Sequence, residues 1–253
     1  GLPVVRAPAA NVSAMCGRFV SSSPPDQLAK YFDVEALGES LLDPNYNVAP
    51  TNDIYAVLES GGVRRMEPLH WGLVPFWAKE LRIGNRMINA RAETLATKNA
   101  FRSAFKKRRC LIPADGFFEW QKIEGQKTKQ PYFIHRKDGE PLAFAGLWEV
   151  WRGPDRDSDE PVTSCTIITT AANETMEKIH DRMPVILPPS AYDEWLDRED
   201  DDVETLGRLL VPAPASLLTM HTVSTDVNKV QNKGPELIER VDPSSGDPQG
   251  SLL

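Results

Sequence analysis

Arg109-Cys110-Leu111-Ile112-Pro113-Ala114-Asp115-Gly116-Phe117-Phe118-Glu119-Trp120-Gln121 is the stretch that decides the fold. It holds two short apolar runs, Arg109 to Ile112 and Gly116 to Gln121, separated by Pro, Asp and Gly, so it reads as two strands and a turn. Working outward, strands are expected downstream at Tyr132 to Arg136, Leu142 to Trp148 and Cys165 to Thr170, and upstream at Ile54 to Glu59 and Val63 to Leu69. Helices are fewer: Pro25 to Phe32 with Ser22 or Ser23 near its cap, a basic one from Asn99 to Lys106, a short one from Asn173 to Ile179, then Ala191 to Leu196 and Val203 to Leu210. With 21 prolines punctuating short runs, the class is α+β with a mostly antiparallel sheet core.

The 253 residues suit one large domain, and 41% hydrophobic with 26% charged residues is a soluble, globular composition. No apolar run is long enough to cross a bilayer, and residues 1–14 lack the basic start and apolar stretch of a secretion signal. They and the tail at 243–253 are small, Pro/Gly/Ser-rich segments expected to be mobile, which leaves 15–242 as the domain. The three cysteines, Cys16, Cys110 and Cys165, lack disulfide or metal-ligand spacing, so a cytoplasmic setting without zinc or another bound metal is expected.

Charge is unevenly spread. Between Arg64 and Arg109 twelve Arg and Lys face three Glu, a local +9 in a chain of net charge −7, so the remainder carries −16. That run reads either as a solvated face or as a surface for a nucleic-acid strand. Inside it, Trp71-Gly72-Leu73-Val74-Pro75-Phe76-Trp77 places three large aromatics around Gly and Pro. Exposed rings beside Arg and Lys suit single-stranded nucleic acid, whose bases stack while its phosphates are held. A local core under the loop is the plainer alternative.

Four further segments carry chemistry. Tyr46-Asn47-Val48-Ala49-Pro50 is a turn with a side-chain amide. Ile88-Asn89-Ala90-Arg91 sets an amide and a guanidinium on one face if extended. Gly116-Phe117-Phe118-Glu119-Trp120 puts a carboxyl among aromatics, where desolvation would raise its pKa and suit it to proton transfer. His180-Asp181-Arg182 places an imidazole and a second guanidinium just past a short helix. Each also has a structural reading: Glu119 as a paired strand residue, His180 as a helix cap, Asn47 and Asn89 as turn formers.

Met15-Cys16-Gly17-Arg18-Phe19 adds a nucleophile. If processing exposes Cys16, its α-amine titrates near ~8 and its thiol near ~8.5, so both are partly deprotonated at neutral pH. Such a pair traps aldehydes: the amine forms an imine and the thiolate closes on its carbon to give a thiazolidine. A form that still carries Gly1 has an acylated Cys16 nitrogen and is expected to be inactive in that reaction.

These motifs, with Val223-Ser224 to Val230-Gln231-Asn232, occur in the order of the SRAP family, the SOS-response-associated peptidases, which the chain resembles from about Met15 to Val241. The resemblance implies one α+β domain on a strongly curved, barrel-like sheet core with peripheral helices. It implies a sensor of abasic sites in single-stranded DNA that crosslinks to the lesion through Cys16 and shields it. Asn89 would hold the opened sugar or the amine, Glu119 would orient and deprotonate the amine, and His180 would act as acid and base on the sugar oxygen. Arg91 and Arg182 would hold flanking phosphates, with Asn47, Pro50, Trp71, Phe76, Trp77 and Arg86 completing the DNA-binding set. A monomer without metal or nucleotide cofactor is expected, with no membrane partner. Two alternatives stay open: a thiol peptidase using Cys16, His180 and Asn89, and a non-covalent single-strand-binding module.

Overall fold

The computed structural model describes residues 17–153 and 160–242; the leader at 1–14, Met15, Cys16 and the tail at 243–253 lie outside the described residues. The strands are β1 (Phe19–Ser21), β2 (Ala36–Leu37), β3 (Asn45–Val48), β4 (Asp53–Ser60), β5 (Val63–Trp71), β6 (Asn89–Arg91) and β7 (Arg109–Ala114). They continue with β8 (Gly116–Gln121), β9 (Gln130–Arg136), β10 (Leu142–Trp151), β11 (Val162–Ala171), β12 (Arg182–Pro184) and β13 (Leu218–Thr222). The α-helices are short: α1 (Pro25–Tyr31), α2 (Arg102–Lys107), α3 (Tyr192–Leu196) and α4 (Val203–Arg208).

The longest antiparallel pairing is the β4–β5 hairpin, closed by Gly61-Gly62 between paired Ser60 and Val63. Both glycines have positive φ, 63° and 76°, as a two-residue turn matched to strand twist requires. From this hairpin the larger sheet runs β12-β11-β10-β7-β4-β5-β2, and a parallel pairing of β11 with β5 closes part of it into a ring. The second sheet runs β13-β9-β8-β1-β3, all antiparallel. The fold is thus α+β, mostly antiparallel and curved, as expected from the sequence.

Alternation sorts the core into layers. Ile54, Ala56, Ile112, Phe144 and Ile167 of the larger sheet pack with Phe19, Phe117, Ile134 and Leu218 of the smaller one. The opposite face, with Tyr55, Val57, Leu111, Ala145 and Ile168, is covered by α1 to α4 through Leu28, Phe105, Trp195 and Leu206. Cys110 and Cys165 are fully buried, and burial pushes both thiols up, so they are inert packing residues. No helix among the described residues is long and apolar enough to cross a membrane.

All seven expected strands and the helices near 25, 102, 192 and 203 are present, with three local differences. α1 begins with Pro25 after Pro24 and has no side-chain cap; Ser22 and Ser23 instead direct their amides and hydroxyls at the Asp115 carboxylate. Asn173 to Ile179 tightens to a 3-10 turn at Met176–Lys178, with Asn173 Oδ1 accepting from the Thr175 and Met176 amides. The segment read as a turn at Tyr46 begins as β3, and only Ala49 to Asn52 turns, with Thr51 at φ 72°.

Candidate functional site

The site grows from the C-terminal half of β11. Beyond the stretch paired to β10 and β5, β11 is flanked by β6 on one side and β12 on the other. Register pairs Asn89 with Ile167, Arg91 with Thr169 and Arg182 with Ala171, so these side chains share one face. Ile167 on that face packs into the core between the sheets, so Asn89, Arg91 and Arg182 look toward the smaller sheet. On β8, Phe117 lies in the same interlayer core, and Glu119 and Gln121 continue its face. Glu119 is 3% exposed, a carboxyl at the apolar seam between the sheets. The polypeptide leading into β1 runs beside it: the Phe118 amide donates to Arg18 O at 3.0 Å, extending the β1–β8 pairing toward Gly17. Cys16, joined directly to Gly17, lies outside the described residues.

His180 follows the Met176–Lys178 turn, its amide donating to Met176 O at 2.9 Å. The ring is half-buried, and its Nδ1 lies 3.2 Å from the Arg182 amide nitrogen. Asp181 Oδ1 stands 2.9 Å from the same Nδ1, so this nitrogen can accept from the amide or, carrying a proton, donate to the carboxylate. Both contacts act on Nδ1 and orient the ring.

Arg182 is held on both sides. Its Nη2 donates to Thr169 O at 2.8 Å, and Nη1 and Nη2 grip the Glu93 carboxylate at 2.5 and 2.9 Å. The guanidinium in turn keeps the Glu93 carboxyl below the usual carboxylate range. Arg86 and Arg91 are exposed and form no salt bridge among the described residues. Phe76 and Trp77 are exposed, 48% and 45%, and Trp77 and Arg86 border a surface cleft of about 830 Å³.

Two expected DNA-contacting residues are corrected. Trp71 is fully buried: it is the last residue of β5, two past Leu69 on the same apolar face, and its Nε1 donates to Ile88 O. A ring packed edge-on against Phe19 at 5.2 Å cannot stack on a base; it supports the entry to β6 instead. Asn47 is also fully buried, on the far face of the smaller sheet. Its Oδ1 accepts from Arg18, and its Nδ2 faces the carbonyls of Val227, Lys229 and Asn232. It ties the chain after Cys16 to the 224–232 segment. Pro50 is half-buried in the neighbouring turn.

The basic run is likewise divided. Arg64 pairs with Asp193 at 2.6 Å, Lys107 with Asp201 at 3.7 Å and Arg108 with Glu149 at 2.7 Å, while Arg109 is buried. Carboxylates from elsewhere in the chain, Glu149, Asp193 and Asp201, thus partly neutralise it in space. Thr169, Glu93 and Gln121 join the site without having been singled out; Thr169 and Gln121 were visible only as members of strands, and Glu93 only as a counter-charge in the run.

Packing of two glycines seats the aromatic loop. A Cβ on Gly84 would come within 2.3 Å of Gly72 O, and one on Gly72, at φ 136°, within 2.8 Å of Gly84 O. Gly84→Ala is therefore expected to push the 72–77 loop off the turn at Leu81–Arg86, destabilising the protein by about 1–3 kcal/mol. Urea denaturation checks the magnitude, and hydrogen exchange over the loop checks its location; unchanged exchange there contradicts the argument.

Among the described residues no group of three or more His, Cys, Asp or Glu could hold a metal ion. The family described as SOS response associated peptidase (SRAP) matches residues 15–230. An abasic site processing protein of Bacillus subtilis, YoqW, is 46% identical over 226 residues, 89% of this chain and 99% of its own. The Escherichia coli protein of the same description, YedK, is 34% identical over 90% of this chain and 100% of its own. An X-ray crystal structure of a protein from Bacteroides thetaiotaomicron, 27% identical, covers 89% of this chain and 100% of that one with a TM-score of 0.79. With the family match spanning most of the domain and the relatives matched end to end, this chain belongs to the SOS response associated peptidase family.

Proposed function

We propose that this protein processes abasic sites in single-stranded DNA by capturing the open-chain aldehyde on Cys16 once the preceding residues are removed. The α-amine adds to the aldehyde, water leaves to give an imine, and the thiolate closes on the imine carbon while the nitrogen takes a proton. The net change is loss of one water. Glu119 accepts the ammonium proton, His180 supplies and recovers the proton on the sugar and carbinolamine oxygens, and Asn89 holds the opened sugar. Arg91 and Arg182 take the flanking phosphates, with Arg86, Phe76 and Trp77 along the strand's path. A phosphate at Arg182 replaces Glu93, whose half-exposed ion pair is of a kind that contributes only about 0–1 kcal/mol.

The observation that carries this reading is the meeting of two faces. β8 brings a buried carboxyl beside the chain that leads from Cys16, and β6, β11 and β12 bring an amide, two guanidinium groups and, through the adjoining turn, an imidazole to the face opposite. The names of the relatives agree with it. Removal of residues ahead of Cys16 fits the peptidase in the family's description, and the same Glu119 and His180 would serve that step.

The test uses single-stranded DNA with one abasic site, incubated with protein beginning at Cys16 and with the form carrying Gly1, read by denaturing gel and intact mass. An adduct one water lighter than its parts is expected from the Cys16 form alone, and none from its Cys16→Ala variant. No adduct from either form overturns aldehyde capture, and an adduct from material retaining Gly1 overturns the requirement for the α-amine.

A further inference from the structure

The two faces of the candidate site come from different sheets, so something must set the distance between Glu119 on β8 and His180 beyond β11. Gln121 spans that gap. Its Nε2 donates to Lys178 O at 2.7 Å, and its Oε1 accepts from the Tyr132 hydroxyl at 3.0 Å. The Lys178 carbonyl only accepts, so it fixes Nε2 toward the turn and leaves Oε1 to accept from the Tyr132 hydroxyl, which steadies the amide from its other end. Tyr132 is the cross-strand partner of Glu119, and Gln121 lies two residues along the same face, so both are fixed to the strand that carries the carboxyl.

The other end of the bridge is equally direct. Lys178 closes the Met176–Lys178 turn, and Met176 O accepts from both the Ile179 and His180 amides at 2.8 and 2.9 Å. Met176 is fully buried and anchors the start of the turn; the Gln121 contact holds its end. Without it the turn can rock about Met176 and carry the imidazole away from β8.

We infer that Gln121 and Tyr132 are positioning residues that dock the His180 turn on the Glu119 strand and so set the alignment of the two proton-transfer groups. The inference rests on the reading that Glu119 and His180 serve one reaction. A neutral hydrogen bond contributes little to stability, but a small displacement of an acid–base group costs rate. The signature is therefore a change in the chemical step rather than in binding or folding.

The experiment compares Gln121→Glu, Tyr132→Phe and Gln121→Lys in the form beginning at Cys16. The first turns the donor into a second acceptor against Lys178 O, the second removes the hydroxyl that steadies Oε1, and the third keeps a donor. At saturating abasic single-stranded DNA, adduct formation should slow about tenfold in Gln121→Glu and about threefold in Tyr132→Phe, and Gln121→Lys should recover most of the rate. Affinity for a strand carrying a tetrahydrofuran analogue, which has no aldehyde to capture, should stay within about twofold in all three. Hydrogen exchange at the Ile179 and His180 amides, measured without DNA, should rise in Gln121→Glu. Unchanged exchange there overturns the inference whatever the capture assay gives. A rate loss equal in Gln121→Lys and Gln121→Glu, or one that appears only in affinity, also overturns it. If the unaltered protein forms no adduct while exchange rises as expected, the functional reading fails and the docking role stands.

Discussion

Glu119→Gln should capture an abasic site in single-stranded DNA about 10²- to 10⁴-fold more slowly than the unaltered protein, at unchanged affinity for the strand. The amide has the carboxylate's shape, so β8 keeps its pairing with β9 and its packing in the seam. What is lost is the ability to accept a proton at neutral pH. At 3% exposure, Glu119 is poorly replaced by solvent water as a base, which is why the effect should be large. The rate constant at saturating DNA, followed by denaturing gel over pH 6 to 9, is the measurement. Raising the pH should recover part of the loss, since the α-amine then deprotonates without help. A variant with wild-type rate at pH 7 would assign Glu119 to packing and orientation alone.

Strands β4 and β10 were legible because each carries a continuous apolar run, Ile54 to Leu58 and Leu142 to Trp148, and β8 and β11 because they are rich in aromatic or β-branched residues. β6 and β12 were not, and they carry Asn89, Arg91 and Arg182 of the candidate site. Each has three residues, and Asn89 and Arg91 give β6 a polar pattern; both become strands only because β11 offers its two edges. The motif order singled out residue types, but spacing alone could not say what each one touches. Trp71 illustrates the limit: grouped with Gly72 to Trp77 it reads as loop, whereas alternation from Leu69 puts it on the core face. Asn47 belongs to a motif beside Pro50, yet its amide is enclosed by carbonyls supplied 180 or more residues later in the chain. Glu93 and Arg182, 89 residues apart, meet only because β6 and β12 flank the same strand.

Arg109 shows the same limit for charge, and its removal should be the most destabilising single change considered. Counted with the basic run, it is 2% exposed and contacts no carboxylate within salt-bridge distance among the described residues. Its guanidinium has five N–H donors, and each has a backbone carbonyl: Trp195 at 2.7 Å, Phe105 at 2.9 Å, Lys106 at 2.5 Å, Asp200 at 3.0 Å and Asp197. Phe105 and Lys106 lie in the last turn of α2, and Trp195 and Asp197 at the end of α3, where helix carbonyls have no partner of their own. One side chain therefore closes two helix ends and holds them together over β7. Burial lowers its pKa, and the nearby Asp197, Asp200 and Asp201 act in the opposite direction, which keeps the cation in place. Arg109→Met fills the space but leaves these carbonyls without donors in a site that water reaches poorly, so a loss of about 3–5 kcal/mol is expected. Arg109→Lys keeps the charge with three donors and no planar fork, and should recover only a minor part. Urea unfolding at neutral pH decides the point: a loss below about 1 kcal/mol in Arg109→Met would mean that the helix ends find other donors, and full recovery by Lys would mean that charge, not the carbonyl fork, is what matters.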